Sequence, residues 1–224
     1  MNASRQKILQ RLRAAQPLAA QAFAAAQDAA LFADYPASSA QRAEHFAAKF
    51  VSLKGEFYRA QNFMEAAAQL KELLQPLAQN PQNGAFCARH AHGLLDQIFQ
   101  ADSWLQQVCV CESHEITNID FAKFEAGITA ADFLVARTGS IILQAQSAGG
   151  RRLSVLPPLH IVVAQREQLV NSLEDAFAAL SAQNEKFDAS YLAVITGPSR
   201  TSDIEKTLVL GAHGPKRLAI ILIG

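Results

Sequence analysis

The chain has 224 residues, of which 50% are hydrophobic and 18% are charged, so it contains enough apolar material for one sizeable core. This composition excludes a chain that is mainly disordered. Lysine and arginine together number 20, as do aspartate and glutamate, so no excess of positive charge is available to attract phosphate backbones. The composition therefore argues against a general nucleic-acid-binding protein.

Sequence features that would place the chain in a membrane or outside the cell are lacking. The charge-free stretches at residues 14–27 and 138–150 are shorter than the roughly 20 apolar residues that cross a bilayer. The amino terminus has charges spread along a helical pattern and does not resemble a signal peptide. Three cysteines make an odd count without C-x-x-C spacing. We therefore expect a cytoplasmic protein without a membrane span.

The first segment of the chain differs in composition from the rest. Residues 14–33 are dominated by alanine and glutamine, a mixture that favours helix but contributes few large side chains to a core. The sequence Tyr35-Pro-Ala-Ser-Ser39 interrupts this pattern, and Ser39 can cap the next helix. We predict a helical arm over residues 1–35 and one α/β domain over residues 36–224.

Helical and strand patterns alternate through the first half of that domain. Apolar side chains at helical spacing predict one helix after Ser39, a second over residues 63–77 and a third that contains residues 94–99. Between them, short apolar runs predict strands at residues 56–60, 84–88 and 107–111. This βα alternation predicts a mostly parallel sheet flanked by helices.

The second half begins with two apolar runs, residues 131–136 and 141–145, joined by Arg137-Thr138-Gly139-Ser140, which predicts a β-hairpin. A strand at residues 160–164 and a helix with apolar residues from Leu169 to Leu180 follow. Residues 191–196 and 218–223 lack alternation, as in strands that are covered on both faces. We therefore expect the centre of the sheet to come from the end of the chain.

Three late segments are candidates for ligand contacts, because open parallel sheets bind ligands outside the carboxyl ends of their strands. In Thr196–Glu205, a Gly-Pro turn leads to Ser202-x-x-Glu205, a capping-box spacing whose amides and hydroxyls suit a phosphate or carboxylate. In Leu210–Lys216, two glycines flank His213, which could act as acid, base or donor. The hairpin tip is the third. Local spacing alone favours ordinary turns for the first two segments, and hairpin chemistry explains the third equally well.

Other chemistry-bearing residues are less informative. Arg151 and Arg152 could clamp an anion or form an exposed pair. Cys109-x-Cys111 lies on one face of a strand but cannot supply the four thiolates of an ordinary iron–sulfur cluster. His90 and His92, two apart on a predicted helix, do not face one direction, so we expect no metal site. Motifs for dinucleotide or P-loop nucleotide binding are missing from the sequence.

Taken together and in order, several late motifs resemble the lactate utilization protein C (LutC-type) family of LUD-domain proteins. The residues that carry the resemblance span roughly residues 120–224, whereas residues 40–118 agree only in the alternation of elements. These motifs are Gly127–Asp132, Thr138–Ser140, Arg152–Ile161, Thr196–Glu205 and Gly211–Pro215.

The resemblance implies a fold similar to the sugar-isomerase and coenzyme A transferase-like superfamily, and a part in oxidising L-lactate to pyruvate beside two iron–sulfur partner proteins. This chain would then be the subunit without clusters. The family usually has an acidic residue where this chain has Arg137, which favours anion binding at that position. The ligand-binding residues that we predict are Thr138, Gly139, Ser140, Arg152, Thr196, Gly197, Ser199, Thr201, Asp203, Glu205, His213 and Gly214.

The residues and the resemblance together leave three functions open. The first is a cluster-free subunit of an L-lactate-oxidising assembly that binds iron–sulfur proteins and a small anionic ligand. The second is an independent enzyme with isomerase- or acyl-transferase-like chemistry on a small acid. The third is a non-catalytic scaffold whose glycine loops are only turns. The sequence identifies no catalytic residue, because no nucleophile and base have a fixed spacing.

Overall fold

A computed structural model describes residues 3–14, 38–79, 85–112, 120–144, 151–183, 191–201, 209–210 and 214–224. Contacts divide the chain into two units, Met1–Asp34 and Tyr35–Gly224. The first unit contains helix α1 (Ala3–Ala14), in which the side chains of residues 5–11 are exposed. The rest of the predicted arm, residues 15–35, lies outside the described residues.

The second unit alternates helices and strands. Its helices are α2 (Ser39–Ser52), α3 (Phe63–Leu74), α4 (Gly93–Gln100), α5 (Ser103–Val108), α6 (Arg152–Val155) and α7 (Leu173–Gln183). Its strands are β1 (Glu56–Ala60), β2 (Cys87–His90), β3 (Cys109–Glu112), β4 (Ala126–Ala130), β5 (Phe133–Val135), β6 (Ser140–Gln144), β7 (Leu159–Gln165), β8 (Leu169–Val170), β9 (Leu192–Ile195), β10 (Arg200–Thr201), β11 (Val209–Leu210) and β12 (Arg217–Ile223).

Six strands form the main sheet, in the order β1-β12-β7-β4-β2-β3. All five pairings in this sheet are parallel, which confirms the prediction of a mostly parallel sheet. Strand β12 lies between β1 and β7, and all but its first residue are buried, as the apolar run near the end of the chain predicts.

A second sheet of four strands has the order β8-β5-β6-β9. Strands β5 and β6 form the predicted hairpin, and β9 pairs antiparallel with β6. The prediction that residues 191–196 form a strand covered on both faces is therefore wrong. Strand β9 lies at the edge of the small sheet, and Val194 is 43% exposed because nothing covers that side of it among the described residues.

The two faces of the main sheet are covered by different elements. Helices α3 and α4 pack on one face against side chains such as Ile161 and Ile221. Helix α2 and the small sheet cover the other face, where Phe46 and Phe50 meet Val162 and Ile220. Helices therefore cover one face, whereas the opposite face is covered partly by strands, which the alternation of patterns did not predict.

Local corrections concern where elements begin and end. The α2 cap is Ser38, one residue before the predicted Ser39, and it forms a capping box with Gln41. The predicted helix containing His90 and His92 is wrong, because His90 ends β2 and His92 accepts a hydrogen bond from Leu94 N at the start of α4. Leu169 and Val170 form β8, so the following helix α7 begins only at Leu173.

Candidate functional site

A cavity of about 190 Å³ lies at the amino-terminal ends of β7 and β12, on the face of the main sheet that the small sheet covers. It combines apolar walls with a few polar groups, the usual composition of a small-molecule site. The lining residues come from α6, β7, β9, β12 and the adjoining loops: Ser154, Val155, His160, Tyr191, Ile195, Gly197, Pro198, Ser199, Gly214, Pro215 and Leu218.

One wall of the cavity depends on a glycine in β4. Gly127 is paired with His160 in register, and a Cβ atom at Gly127 would lie 2.1 Å from the carbonyl oxygen of Leu153. Only glycine lets the backbone of α6 approach the sheet so closely. This approach positions Ser154 and Val155 of α6 at the cavity.

The opposite wall is formed by two loops that contact each other. The Ser199 N–H, after β9, donates a 3.0 Å hydrogen bond to the Pro215 carbonyl, before β12. A Cβ atom at Gly214 would lie 3.1 Å from Ser199 Cβ. The structure thus brings together three predicted site residues, Gly197, Ser199 and Gly214, around one cavity.

His160 is the fully buried polar residue of this cavity. Its Nε2 lies 2.9 Å from the Thr129 hydroxyl oxygen, and its Nδ1 has no hydrogen-bond partner in the described part of the chain. Burial lowers the pKa of His160 to about 3, so the ring is neutral at neutral pH. A neutral imidazole donates through one nitrogen and accepts through the other.

The two arginines before β7 do not act as a pair. The guanidinium carbon of Arg151 lies 4.5 Å from the ring centroid of Tyr191, a cavity residue, whereas that of Arg152 lies 4.5 Å from the ring of Phe121. The predicted site residue Arg152 therefore stacks on Phe121 and does not line the cavity. Arg151 is the arginine that lies beside the site, and it brings a positive charge there.

The predicted hairpin residues form a hydroxyl chain. Thr138 Oγ1 lies 2.7 Å from Ser140 Oγ, which lies 2.8 Å from Thr196 Oγ1. Gly139 has a φ of 67°, and a Cβ atom there would lie 3.0 Å from the backbone nitrogen of Phe50. These contacts fasten the hairpin tip to α2 and to the end of β9, and neither Thr138 nor Ser140 lines the cavity.

Arg137, at the position for which the resemblance implies an acid, contacts the segment that leads into α7. Its backbone N–H donates to the Asn171 carbonyl at 3.0 Å. The pKa of Glu174 is lowered, chiefly by hydrogen bonds from its own backbone N–H and from Ser172, and also by the charge of Arg137. Arg137 therefore places a positive charge near the start of α7.

The side chains of four predicted site residues lie outside the described part of the structure. Thr201 lies in β10, which pairs antiparallel with β11, but its side chain lies outside the described part of the structure. Asp203, Glu205 and His213 lie outside the described residues altogether, as does the helix predicted to begin at Ser202.

A second cavity of about 260 Å³ lies beside the edge strand β3, and Cys109 and Cys111 line it together with Arg89 and Asp96. Arg89 Nη1 lies 2.7 Å from Asp96 Oδ1. The pKa of Cys109 is raised well above its usual value, first by burial and then by Cys87, its partner in register on β2. Among the described residues, no group of three or more His, Cys, Asp or Glu side chains could hold a metal ion.

Sequence reasoning missed His160, Ser154 and Tyr191 as cavity residues. The available signal was a histidine inside the apolar run 159–164, since a buried polar side chain needs a partner or a function. Ligand contacts were also expected at the carboxyl ends of the strands, whereas this cavity lies at the amino ends of β7 and β12.

Comparisons with known proteins agree with the resemblance in the late motifs. Uncharacterized protein NMB1437 from Neisseria meningitidis serogroup B is 30% identical over 195 residues, which cover 83% of this chain and 78% of that protein. Proteins named Lactate utilization protein C from Geobacillus sp. (strain WCH70) and Deinococcus radiodurans are 36% and 34% identical and match 47% and 49% of this chain. The matches cover 45% and 51% of those two proteins, so the chain spans about half their length.

A solved structure shows the same fold. The crystal structure of a DUF162 family protein from Deinococcus radiodurans matches with a TM-score of 0.62 and 20% sequence identity, over 84% of this chain and all of that one. No helix in the described residues has the length and apolar character that a membrane crossing requires. A family model for the LUD domain matches residues 43–223, that is, most of the second unit. This chain therefore belongs to the LUD domain family.

Proposed function

We propose that this chain takes part in the oxidation of L-lactate to pyruvate in the cytoplasm, as a cluster-free subunit that binds iron–sulfur partner proteins and a small anionic ligand. The name of the relatives, Lactate utilization protein C, supports the part in lactate utilisation. Those relatives are about twice as long as the matched region, so the function of this chain needs its own test.

The cysteines support a subunit that leaves electron transfer to partners. The sequence contains three cysteines, one fewer than the four thiolates of an ordinary cluster. Cys87 and Cys109 are paired in register on neighbouring strands, and the raised pKa of Cys109 keeps its thiol protonated. A protonated, packed thiol is a poor metal ligand. Iron–sulfur clusters would therefore be supplied by the partners.

The observation that carries the ligand part of the proposal is the cavity around His160. Two loops with the predicted residues Gly197, Ser199 and Gly214 meet there, and Arg151 adds a positive charge beside Tyr191. None of the described residues that line the cavity carries a carboxylate that would repel an anion.

We also propose that the fold is similar to that of the sugar-isomerase and coenzyme A transferase-like superfamily. Such kinship does not assign a reaction, because unrelated activities share one fold. The alternative of an independent enzyme predicts turnover of a small acid by the purified chain alone. The scaffold alternative predicts that small acids do not stabilise the chain.

Deletion of the gene, followed by growth on L-lactate, tests the proposal in the organism that encodes this chain. We expect growth on L-lactate to fail and growth on pyruvate to continue, because only the oxidation step is missing. Affinity capture of the tagged chain should bring down proteins that contain iron and acid-labile sulfide. Normal growth on L-lactate after deletion, with no iron–sulfur protein in the captured fraction, would contradict the proposal.

A further inference from the structure

We propose that the cavity at the amino ends of β7 and β12 binds a small monocarboxylate, and that the Nδ1–H group of His160 donates a hydrogen bond to a ligand oxygen. The inference deepens the proposed function, since it names the ligand class and the residue that recognises it. It rests on the proposed function in the choice of L-lactate as the test compound, whereas the cavity itself indicates the ligand class.

The tautomer of His160 follows from its contact with Thr129. Within the described part of the chain, the Thr129 hydroxyl makes one hydrogen bond, the 2.9 Å contact with His160 Nε2. If Nε2 donated, the hydroxyl hydrogen of the fully buried Thr129 would have no acceptor. The arrangement that satisfies both groups has the hydroxyl donating to Nε2, which leaves the ring proton on Nδ1.

The Nδ1–H group is then a buried donor that lacks an acceptor. His160 is fully buried and lines the cavity, and Nδ1 has no partner among the described residues. Burial lowers the pKa of the ring, so His160 stays a neutral donor at neutral pH. Leaving such a donor without an acceptor is costly, and a ligand oxygen would remove that cost.

The remaining walls favour a small acid with an apolar carbon body. Val155, Ile195 and Leu218 provide apolar surface, and Ser199 adds a residue with a hydroxyl group to the lining. The positive charge of Arg151, stacked on Tyr191, favours a negatively charged ligand over a neutral one. The volume of about 190 Å³ suits a compound of a few carbon atoms.

Two substitutions at His160 distinguish the roles of the two ring nitrogens. In His160→Gln, the side-chain amide can replace Nε2 towards Thr129, but nothing replaces the Nδ1–H donor. In His160→Asn, the shorter amide can replace Nδ1 and restores a donor there. Loss of binding in His160→Gln, with partial recovery in His160→Asn, is therefore the signature of an Nδ1 contact and not of general damage to the core.

The experiment is calorimetric titration of the full chain and its variants with sodium L-lactate, propionate and glycerol. We expect both acids to bind and glycerol, which has no carboxylate, not to bind. The Kd for L-lactate should rise at least tenfold in His160→Gln and less in His160→Asn. The control is His92→Asn, which keeps a capping side chain at α4 and lies at the carboxyl ends of the strands, away from the cavity.

Nitrogen NMR of histidine-labelled protein tests the tautomer and the positioning role of Thr129. We expect His160 to carry its proton on Nδ1, and Thr129→Val to produce a mixture of tautomers with weaker L-lactate binding. The inference is overturned if His160→Gln, with an unchanged melting temperature, binds L-lactate as the unsubstituted chain does. It is also overturned if the proton of His160 is found on Nε2.

The outcomes distinguish this inference from the proposed function. If the purified chain binds small monocarboxylates but growth on L-lactate survives gene deletion, the site stands and the proposed function fails. If deletion abolishes growth but His160→Gln supports full growth and unchanged L-lactate binding, the proposed function stands and the inference fails.

Discussion

His160 links protonation to folding, because the folded chain holds its ring in a buried position. Its pKa is lowered to about 3 by burial, whereas an unfolded histidine titrates near its ordinary pKa of about 6.5. Below the unfolded pKa, the unfolded chain binds a proton that the folded chain does not bind. The stability contributed by neutral His160 is therefore complete above about pH 6.5 and is lost as the pH falls towards 3.

We expect a measurable loss of stability in mild acid. Between pH 7 and pH 5, the free energy of unfolding should fall by about 2 kcal/mol from His160 alone, at about 1.4 kcal/mol for each pH unit below 6.5. Urea denaturation of the unsubstituted chain and of His160→Gln at both pH values measures this loss. The two chains should differ in pH dependence, since glutamine does not titrate, and equal pH dependence would contradict the assignment.

Cys109 is a packing residue at the edge of the main sheet. It is partly buried, lies opposite Cys87 in register, and has a raised pKa because of that burial. We expect Cys109→Ala to lower the free energy of unfolding by about 1 kcal/mol through lost packing, while binding of L-lactate is unchanged. Chemical denaturation and calorimetric titration check the two parts separately. A large loss of binding with normal stability would assign this thiol a functional role instead.

At the scale of elements, the contact of α6 with β4 decides whether the cavity exists. A Cβ atom at Gly127 would lie 2.1 Å from the carbonyl oxygen of Leu153. That oxygen belongs to the backbone of α6, so it can move away only if the helix moves. A side chain at this position must therefore displace α6 and, with it, Ser154 and Val155. The sequence motif Gly127–Asp132 thus has a structural explanation at its first residue.

We expect Gly127→Ala to destabilise the chain by about 1–3 kcal/mol, as overpacking does, and to weaken L-lactate binding. The matched control is Gly93→Ala at the first residue of α4, where nothing lies within 4 Å of an added Cβ atom. That control should be neutral or slightly stabilising, because alanine favours helix over glycine. Melting curves and titrations of both variants make the comparison. An unchanged Gly127→Ala variant would show that α6 does not need this close approach.

Local sequence patterns predict strand β1 and the hairpin of β5 and β6 well. Strand β1 was predicted with its observed bounds, and the hairpin of β5 and β6 was predicted from its two apolar runs and Thr138-Gly139. Both rest on local physics, namely alternation and turn geometry. The edge position of β9 was not predictable, because an apolar run has the same appearance at a sheet centre and at an edge that packs on one side.

At the scale of the whole molecule, the two units have separate sets of contacts. Residues 1–34 form one unit, and the LUD domain match begins at residue 43, inside the second unit. The large buried side chains of the core belong to residues from Phe46 onwards in the described part of the chain. The stability of the second unit should therefore depend little on the first.

We expect deletion of residues 1–30 to leave a folded chain with cooperative melting and a melting temperature within a few degrees of the full chain. Circular dichroism and thermal melting measure both quantities. The deleted chain should also bind L-lactate, since every residue lining the proposed site lies in the second unit. Insolubility or non-cooperative melting would place residues 1–30 in the core or in an obligatory interface.

The sequence by itself determined the α/β class, the parallel sheet, the hairpin and the family, because each depends on local periodicity, turn residues or motifs read in order. It also indicated Gly197, Ser199 and Gly214. Only the tertiary structure decided that these residues meet His160 and Ser154, and that Arg152 and the Thr138 hydroxyl lie elsewhere. The physical reason is that strand order sets which strand ends adjoin, and the order β1-β12-β7-β4-β2-β3 joins segments distant in sequence.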